Sequence, residues 1–373
     1  MESIRKNRLR QTRRLVRWVA SIHLWANNYI VSLNNDKISG FVTHLQSLST
    51  KMTIFAINYH NINTVMKRIC LLSVFITIAV LQLSAQMLVG TYNIRNKNNS
   101  DSLNGNGWSK RCQVICDQLN FMSPDIFGAQ EVLHGQLMDM LSRLDGYDYI
   151  GVGRDDGKTG GEYEPIFYKT DRLRLLDHGD FWLSETPDRP GLGWDAACVR
   201  ICTWGKFAGQ TATDDEAFYF FNLHMDHVGV VARREAAKLI VRKISEIASG
   251  APVIVTGDFN VDQKNEIYNT FTDSGLLKDS FLASRKRFAE NGTFNSFDTE
   301  LYSDSRIDHV FVSPATEVQV YGILTDGYWA PNGESTEQLK GHDAPQEISF
   351  SKYSRRQPSD HYPVFVRLAF AWE

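Results

Sequence analysis

Six short stretches of this chain end or interrupt an apolar run with a side chain that can hold a cation or move a proton. Asn93 lies in "TYNIR", Glu131 in "GAQEV", His224 in "NLHMDH", Asp258 and Asn260 in "TGDFN", Asp308 in "RIDHVFVS", and Asp360 and His361 in "SDHYPV". Taken singly, each is most simply a turn residue, a cap or a sheet-edge polar group. Taken together they are carboxylates, carboxamides and imidazoles set where a half-buried charge is costly to keep. Oxygen ligands of this kind suit a hard cation such as Mg²⁺ or Mn²⁺. Imidazoles at such positions can donate to oxygens of developing charge. The chemistry such a set suits is metal-assisted hydrolysis.

The elements that must carry these residues follow from periodicity. "MLVGTYNIR" predicts a strand ending at Asn93, and "WSKRCQVICDQLNFM" a helix with Ile115, Leu119 and Met122 on one face. "PDIFGAQEV" predicts a short buried strand, and "LHGQLMDMLSRL" a helix turning Leu133, Leu137, Met140, Leu141 and Leu144 inward. "YDYIGVG" and "EPIFYKT" are strands joined by a Gly/Asp-rich loop, and "AFYFFNLHMDH" is a strand through His227. "ARREAAKLIVRKISEIAS" is a helix, "APVIVTGDFN" a buried strand, and "RIDHVFVS" and "HYPVFVRLAF" close the chain as strands. Apolar strands covered by a few helices predict two packed sheets with helices outside.

The N-terminal part reads differently. Met66-Lys67-Arg68 precedes the apolar "ICLLSVFITIAVLQLSAQ", the layout of an export signal with cleavage after Ala85. Its apolar stretch is shorter than a spanning helix needs. Residues 1–65 are then expected to be a non-native or disordered extension, residues 66–85 the signal peptide, and residues 86–373 a single domain. A basic amphipathic leader on a membrane or polyanion is the other reading of "RKNRLRQTRRLVRW". The expected location is secreted or periplasmic, with no stable membrane insertion after cleavage, and the expected state is a monomer.

Charge narrows the partners. Residues 1–86 hold 11 Lys and Arg against 2 Asp and Glu, which leaves the rest near −12. A nucleic-acid binder gains most of its affinity from neutralising phosphates, so a field of this sign disfavours long polyanions. Two features carry no chemistry. Cys112, Cys116, Cys198 and Cys202 lack zinc-ligand spacing and are expected as buried thiols. Gly157-Lys158-Thr159 lacks the upstream glycine of a phosphate-binding loop, since Val152 stands there.

In this order the six stretches resemble the endonuclease/exonuclease/phosphatase superfamily, with its deoxyribonuclease-I-like fold. The resemblance spans residues 87–373, and "GEYEPIFYK", "FWLSETP", "WDAACVRICTW" and "DHVGVVARREAAKLI" are similar to a secreted bacterial branch of it. It implies an α+β fold, a four-layer αββα sandwich of two mixed β-sheets. It implies that Glu131, Asn93 and Asp360 hold Mg²⁺ (or Mn²⁺), that Asp258 aligns and deprotonates the attacking water, and that Asn260 orients Asp258 or donates to a phosphate oxygen. His224 and His361 would face the scissile phosphate, with Asp308 fixing the tautomer of His361. No covalent intermediate is needed.

Less specific candidates surround this set. Asp226 shares the face of His224 if the strand continues, while His227 points away; Glu162 and Glu164 could line the cleft, as could Arg200, either as a phosphate contact or in a structural ion pair. Tyr163, Trp182 and Trp204 either form a stacking wall or pack in the interior, the latter being the better default for Trp204. The function expected is hydrolysis of a small phosphorylated substrate. A 3′–5′ exonuclease or an endonuclease on RNA or DNA is the alternative, since deadenylase-type exonucleases share "NxH" and "GDFN". A non-catalytic binding module would be expected to have lost Glu131, Asp258 or His361, and all three are present.

Overall fold

The computed structural model describes residues 86–288, 290–331, 338–339, 343 and 345–369. The expectations for residues 1–85, an extension and an export signal, lie outside the described residues. Among the described residues, no helix is long and apolar enough to cross a membrane.

In chain order the principal elements are β1 (Gln86–Asn93), α1 (Trp108–Met122), β2 (Ile126–Gln130), α2 (His134–Leu141), β3 (Tyr147–Ile150), β4 (Ile166–Lys169) and β5 (Leu173–Trp182). They continue with β6 (Ile201–Gly209), β7 (Phe218–His224), α3 (Val230–Ala248), β8 (Val253–Asp258), β9 (Lys278–Asp279) and β10 (Lys286–Phe288). The last three are β11 (Asp308–Val312), β12 (Glu317–Ile323) and β13 (Val364–Ala369). One sheet has the order β10-β12-β13-β1-β2-β4-β3, the other β9-β11-β8-β7-β6-β5. Both are mixed: β1 runs parallel to β2 but antiparallel to β13, and β8 runs parallel to β7 but antiparallel to β11.

Strand alternation assigns each side chain to a layer. Val89, Ile126, Phe218, Phe220, Ile254, Val310 and Val312 point between the sheets and form the central core. Phe221, Leu223, Val253, Val255 and Phe311 point the other way and meet Leu239, Ile240 and Ile244 of α3. On the opposite outside, Phe127, Ala129 and Phe365 pack against Ile115, Cys116 and Leu119 of α1 and Leu137 and Met140 of α2. The result is the four-layer αββα sandwich of the deoxyribonuclease-I-like fold.

The predicted helices and central strands form close to where expected, with two differences. β7 stops at His224, so Met225, Asp226 and His227 are loop and do not continue its face alternation. β5, β6 and β12 lie in stretches without clear periodicity. In β5 a register shift between Leu175 and Asp177 and a largely half-exposed middle erase the alternation. Gly205 breaks the side-chain pattern of β6, where a Cβ would lie 2.6 Å from Phe207 and 2.7 Å from Ile150.

Candidate active site

The polar residues sit at one end of the sandwich because the inward faces of the strands change character along their length. In the second sheet, Ile254, Thr256 and Asp258 follow one another inward on β8; β7 offers Phe220, Asn222 and His224, and β11 offers Val312, Val310 and Asp308. Register pairs Asp258 with His224 on one side and with Asp308 on the other. Three titratable groups separated widely in sequence thus form one row across adjacent strands. In the first sheet, Val89, Thr91 and Asn93 of β1 pair with Ile126, Gly128 and Gln130 of β2, which ends the facing surface on the same level.

Between the apolar core and this row lies a buried polar layer. Gln130 Nε2 donates to Thr91 Oγ1 (3.0 Å) and to Asn222 Oδ1 (2.7 Å) across the two sheets. Asn222 Nδ2 donates to the carbonyls of Ala129 and Pro165, and Thr256 Oγ1 donates to Asn222 Oδ1. Gly128 makes room for this bridge, since a Cβ there would lie 2.2 Å from Asn222 Oδ1. Gln130 Oε1 is left without a partner among the described residues, but the remaining bonds tie the two sheets together just beneath the site.

Asn93 is the hub above that layer. Its Nδ2 donates to Glu131 Oε1 (3.0 Å) and Asp258 Oδ2 (3.1 Å) and lies 3.4 Å from His361 Nε2. Glu131 follows β2 with φ +61°, a left-handed conformation uncommon for a non-glycine residue. Its Oε2 accepts from Asn96 N at 3.0 Å. Burial works against the Glu131 carboxylate, but the Asn96 N–H, the charge of His361, the Asn93 amide and Arg95 outweigh it and hold its pKa below the usual range. Asp360 has less support: its carboxylate lies 3.4 Å from Arg95 Nη1 and from Ser359 Oγ. Burial pushes its pKa up, and the charge of Glu131 pushes the same way against His361 and Arg95. Glu131 and the buried Asp360, whose ionisation Glu131 makes costlier, are oxygen donors that a hard divalent cation fits, and Asn93 Oδ1, which accepts from Arg95 N at 3.0 Å, retains a second lone pair.

The remaining titratable groups gather around Asp258. His361 Nδ1 donates to Asp308 Oδ2 at 2.9 Å, and its Nε2 lies 3.7 Å from Asp258 Oδ2. Burial alone would lower the pKa of His361, but Asp308, Asp258 and Asp360 raise it to about 10. Burial, then the charge of Asp308, pushes Asp258 up to about 7, against the pull of His361 and the Asn260 N–H. Asn260, at φ +49°, donates its N–H to Asp258 Oδ1 (2.9 Å) and its amide to Met225 O, and that amide nitrogen lies 3.1 Å from His224 Nε2. His224 Nε2 also lies 3.3 Å from Asp258 Oδ2. Burial, followed by Arg200 and Arg154, holds His224 well below its ordinary pKa, so it is neutral. All eight residues of the principal set therefore meet in one cluster.

The less specific candidates separate. Asp226 does not share a strand face with His224. It accepts from the N–H groups of Cys198, Val228 and Gly229 and pairs with Arg200 at 3.4 Å. Arg200 reaches His227 Nδ1 at 3.1 Å, so Arg200 forms the structural ion pair, and His227 stays exposed. Glu162 pairs with Arg154 and accepts from Asn96. Glu164 is fully buried, 3.8 Å from His224 Nδ1, and burial followed by the charge of Glu162 raises its pKa well above the carboxylate range. Glu164 thus lies against the back of His224, and neither its carboxyl oxygens nor His224 Nδ1 has a hydrogen-bond partner among the described residues. Tyr163 and Trp182 are buried and donate to backbone carbonyls, while Trp204 packs on the outer face of the second sheet, so no stacking wall forms. Gly153–Gly161 is a loop followed by a two-residue strand rather than a helix. Cys112, Cys116 and Cys202 are buried free thiols, and Cys198 is a half-buried one.

Sequence reasoning missed Arg111, Ser359 and the Gln130–Asn222 bridge. None carries a local signal, because each acts on a partner that is far away in the chain. Phe294 was missed as well: it stands 43% exposed with its ring 5.0 Å from that of His361, at the mouth of the site.

Comparison with known proteins gives the family. Residues 90–361 match the endonuclease/exonuclease/phosphatase family model. A mannosyl-6-phosphatase from Bacteroides thetaiotaomicron is 48% identical, with a TM-score of 0.68 over 76% of this chain and all of that one. A second endonuclease/exonuclease/phosphatase family protein from the same organism is 47% identical, with a TM-score of 0.70 over 77% of this chain and 96% of that one. The 3′–5′-exoribonuclease subunit Ccr4 of the CCR4-Not complex of Debaryomyces hansenii is 23% identical over 305 residues, which are 70% of this chain but only 35% of that protein.

Proposed function

Because this chain belongs to the endonuclease/exonuclease/phosphatase family of phosphate-ester hydrolases, we propose that it is a divalent-metal-dependent phosphatase of small phosphorylated substrates, with sugar phosphates first among them. The observation that carries this reading is the 48% identity to a mannosyl-6-phosphatase along that protein's whole length. The acidic balance of residues 87–373 points the same way, since it repels long polyanions more than a small monoester. Export through residues 66–85, to the cell exterior or a periplasm, belongs to the same proposal, as does a secreted bacterial branch of the family. A monomer suffices, because the cluster is complete within one chain.

Glu131, Asp360 and Asn93 are the residues that would hold Mg²⁺ or Mn²⁺. Such a cation supplies charge neutralisation at the phosphoryl oxygens and at the leaving oxygen. The protein's own groups do the rest. Asp258, with a pKa near neutrality, accepts the proton of the attacking water, and the Asn260 N–H and Asn93 amide fix its orientation. His361 stays protonated and presents Nε2–H to a phosphoryl oxygen while Asp308 holds its Nδ1–H. Neutral His224 lines the other side of Asp258 and is backed by Glu164.

The second reading, a 3′–5′ exonuclease, is favoured by the Ccr4 similarity. One experiment separates the two. The purified protein with Mg²⁺ or Mn²⁺ is assayed on mannose 6-phosphate, p-nitrophenyl phosphate, bis-p-nitrophenyl phosphate and labelled single-stranded DNA and RNA. Phosphate release from the monoesters is expected, reduced by about 10²–10⁴ in Asp258→Ala, the range for a positioned general base. Shortening of oligonucleotides from the 3′ end, with little monoester turnover, would replace this reading with the nuclease one.

A further inference from the structure

The β1–β13 ladder ends at Thr91↔Val364. Asn93 and Asp360 both lie beyond that last pair, so sheet pairing does not set the distance between them. Two other side chains span the gap. Ser359 Oγ donates to the Asn93 carbonyl at 2.7 Å. Arg111, on α1, is fully buried. Its Nη1 donates at once to Ile94 O (2.7 Å) and to Pro358 O (2.8 Å). Its Nη2 donates to Arg95 O (3.1 Å) and its Nε to Asn106 O (2.6 Å). The guanidinium carbon lies 5.5 Å from the ring centroids of both Trp108 and Phe297.

This is an unusual use of a buried arginine. It makes no ion pair among the described residues, and every hydrogen bond it donates goes to a backbone carbonyl. Only a planar fork with several fixed donors can reach three chain segments together; a lysine ammonium is a point charge on a flexible stem. The base of the fork is also rigid, because Ile115, Cys116 and Leu119 of the same helix are packed in the outer core against the first sheet. The segments it ties are the residues just after Asn93 and the residue two before Asp360.

We propose that Arg111 and Ser359 form a clasp that sets the spacing of Asn93 and Asp360, making Arg111 a positioning residue for cation binding. The inference rests on the assignment of Glu131, Asn93 and Asp360 as cation ligands. It separates Arg111 from an ordinary core residue, whose loss would lower stability without a specific effect on the cation.

The test is Mn²⁺ binding to the full-length protein without substrate, followed by electron paramagnetic resonance, for wild type, Glu131→Gln, Arg111→Lys and Ser359→Ala. Circular dichroism establishes that each is folded, and Ser359→Ala carries the test if Arg111→Lys is not. Mn²⁺ affinity should fall about 10–100-fold in Arg111→Lys, the range for groups that orient metal ligands, and by a smaller factor in Ser359→Ala. Saturating Mn²⁺ should bring kcat of both variants back to within about threefold of wild type, since the reacting groups are untouched. Wild-type Mn²⁺ affinity in the folded Arg111→Lys and Ser359→Ala, with a weakened Glu131→Gln, overturns the clasp alone. Unchanged affinity in Glu131→Gln overturns the ligand assignment and the clasp with it. A kcat loss in the clasp variants that saturating Mn²⁺ does not restore also overturns the inference.

Discussion

Asp308→Asn tests the electrostatic design of the site most directly. Asp308 is buried, holds His361 Nδ1 at 2.9 Å and is the leading influence that raises His361 to about 10. An opposite charge at such a distance shifts a pKa by about 1–3 units. Without it His361 falls toward neutrality, and if the full shift is lost, only about one tenth is protonated at pH 8. The same charge raises Asp258, so the substitution moves both groups in one direction, downward. The wild-type kcat/KM profile for a monoester should therefore rise through the Asp258 titration near pH 7 and fall as His361 loses its proton near pH 10. In Asp308→Asn both limbs should move to lower pH, with the larger loss of activity on the alkaline side. Stability carries the matching sign. The raised pKa of His361 contributes stability that is complete below its unfolded value and lost as pH rises through about 10. Asp308→Asn should flatten that alkaline loss. Nitrogen-15 spectra of the histidine rings read the titration of His361 independently of turnover. An unmoved alkaline limb together with an unmoved His361 titration would refute the idea that Asp308 keeps His361 charged.

Other consequences are local. Asp180, on β5, accepts from Thr203 Oγ1 at 2.7 Å, and burial pushes its pKa up to about 6 from 3.8. A carboxyl raised in this way is destabilising once ionised, so its cost appears as pH rises from about 4 to about 6 and reaches at most ~3 kcal/mol. Asp180→Asn should therefore gain stability over wild type at pH 7 but not at pH 4 in paired thermal melts; an equal gain at both would remove the titration as its cause. Gly128→Ala drives a Cβ into the Asn222 carboxamide and to 2.5 Å from Thr256 Oγ1. Overpacking of this kind costs about 1–3 kcal/mol, read as a lower urea midpoint, and a variant as stable as wild type would mean that the bridge between the sheets yields freely.

The eight residues that the structure gathers into one cluster stand out in the sequence because each sits where an apolar run meets a polar end, a feature of ten residues or fewer. The helices α1 and α3 and the central strands β1, β2, β7, β8, β11 and β13 were legible for the same reason, since periods of 3.6 and 2 are local. β5 and β6 were not, because an edge strand with a bulge and a strand with a central glycine carry no clean period. The strand predicted through His227 failed for a related reason. Leu223 to Asp226 alternate apolar and polar, but Asp226 is captured by the N–H groups ahead of α3 and by Arg200, which no local pattern foretells.

From the sequence alone came the choice of the eight clustered residues, the kind of chemistry they suit, two packed sheets with helices outside and, through the family resemblance, the αββα class. Tertiary structure alone decided that His224, Asp258 and Asp308 stand in one row, that Asn93 meets Asp258 across 165 residues and His361 across 268, and that Arg111 and Ser359 tie the segments around Asn93 and Asp360 together. It also decided the charge states, since desolvation and neighbouring charge, rather than residue type, put Asp258 near neutrality and keep His361 protonated. The physical reason is the same throughout. Periodicity and polarity are short-range properties of the chain, whereas register between strands and the dielectric around a buried group arise only when distant segments pack.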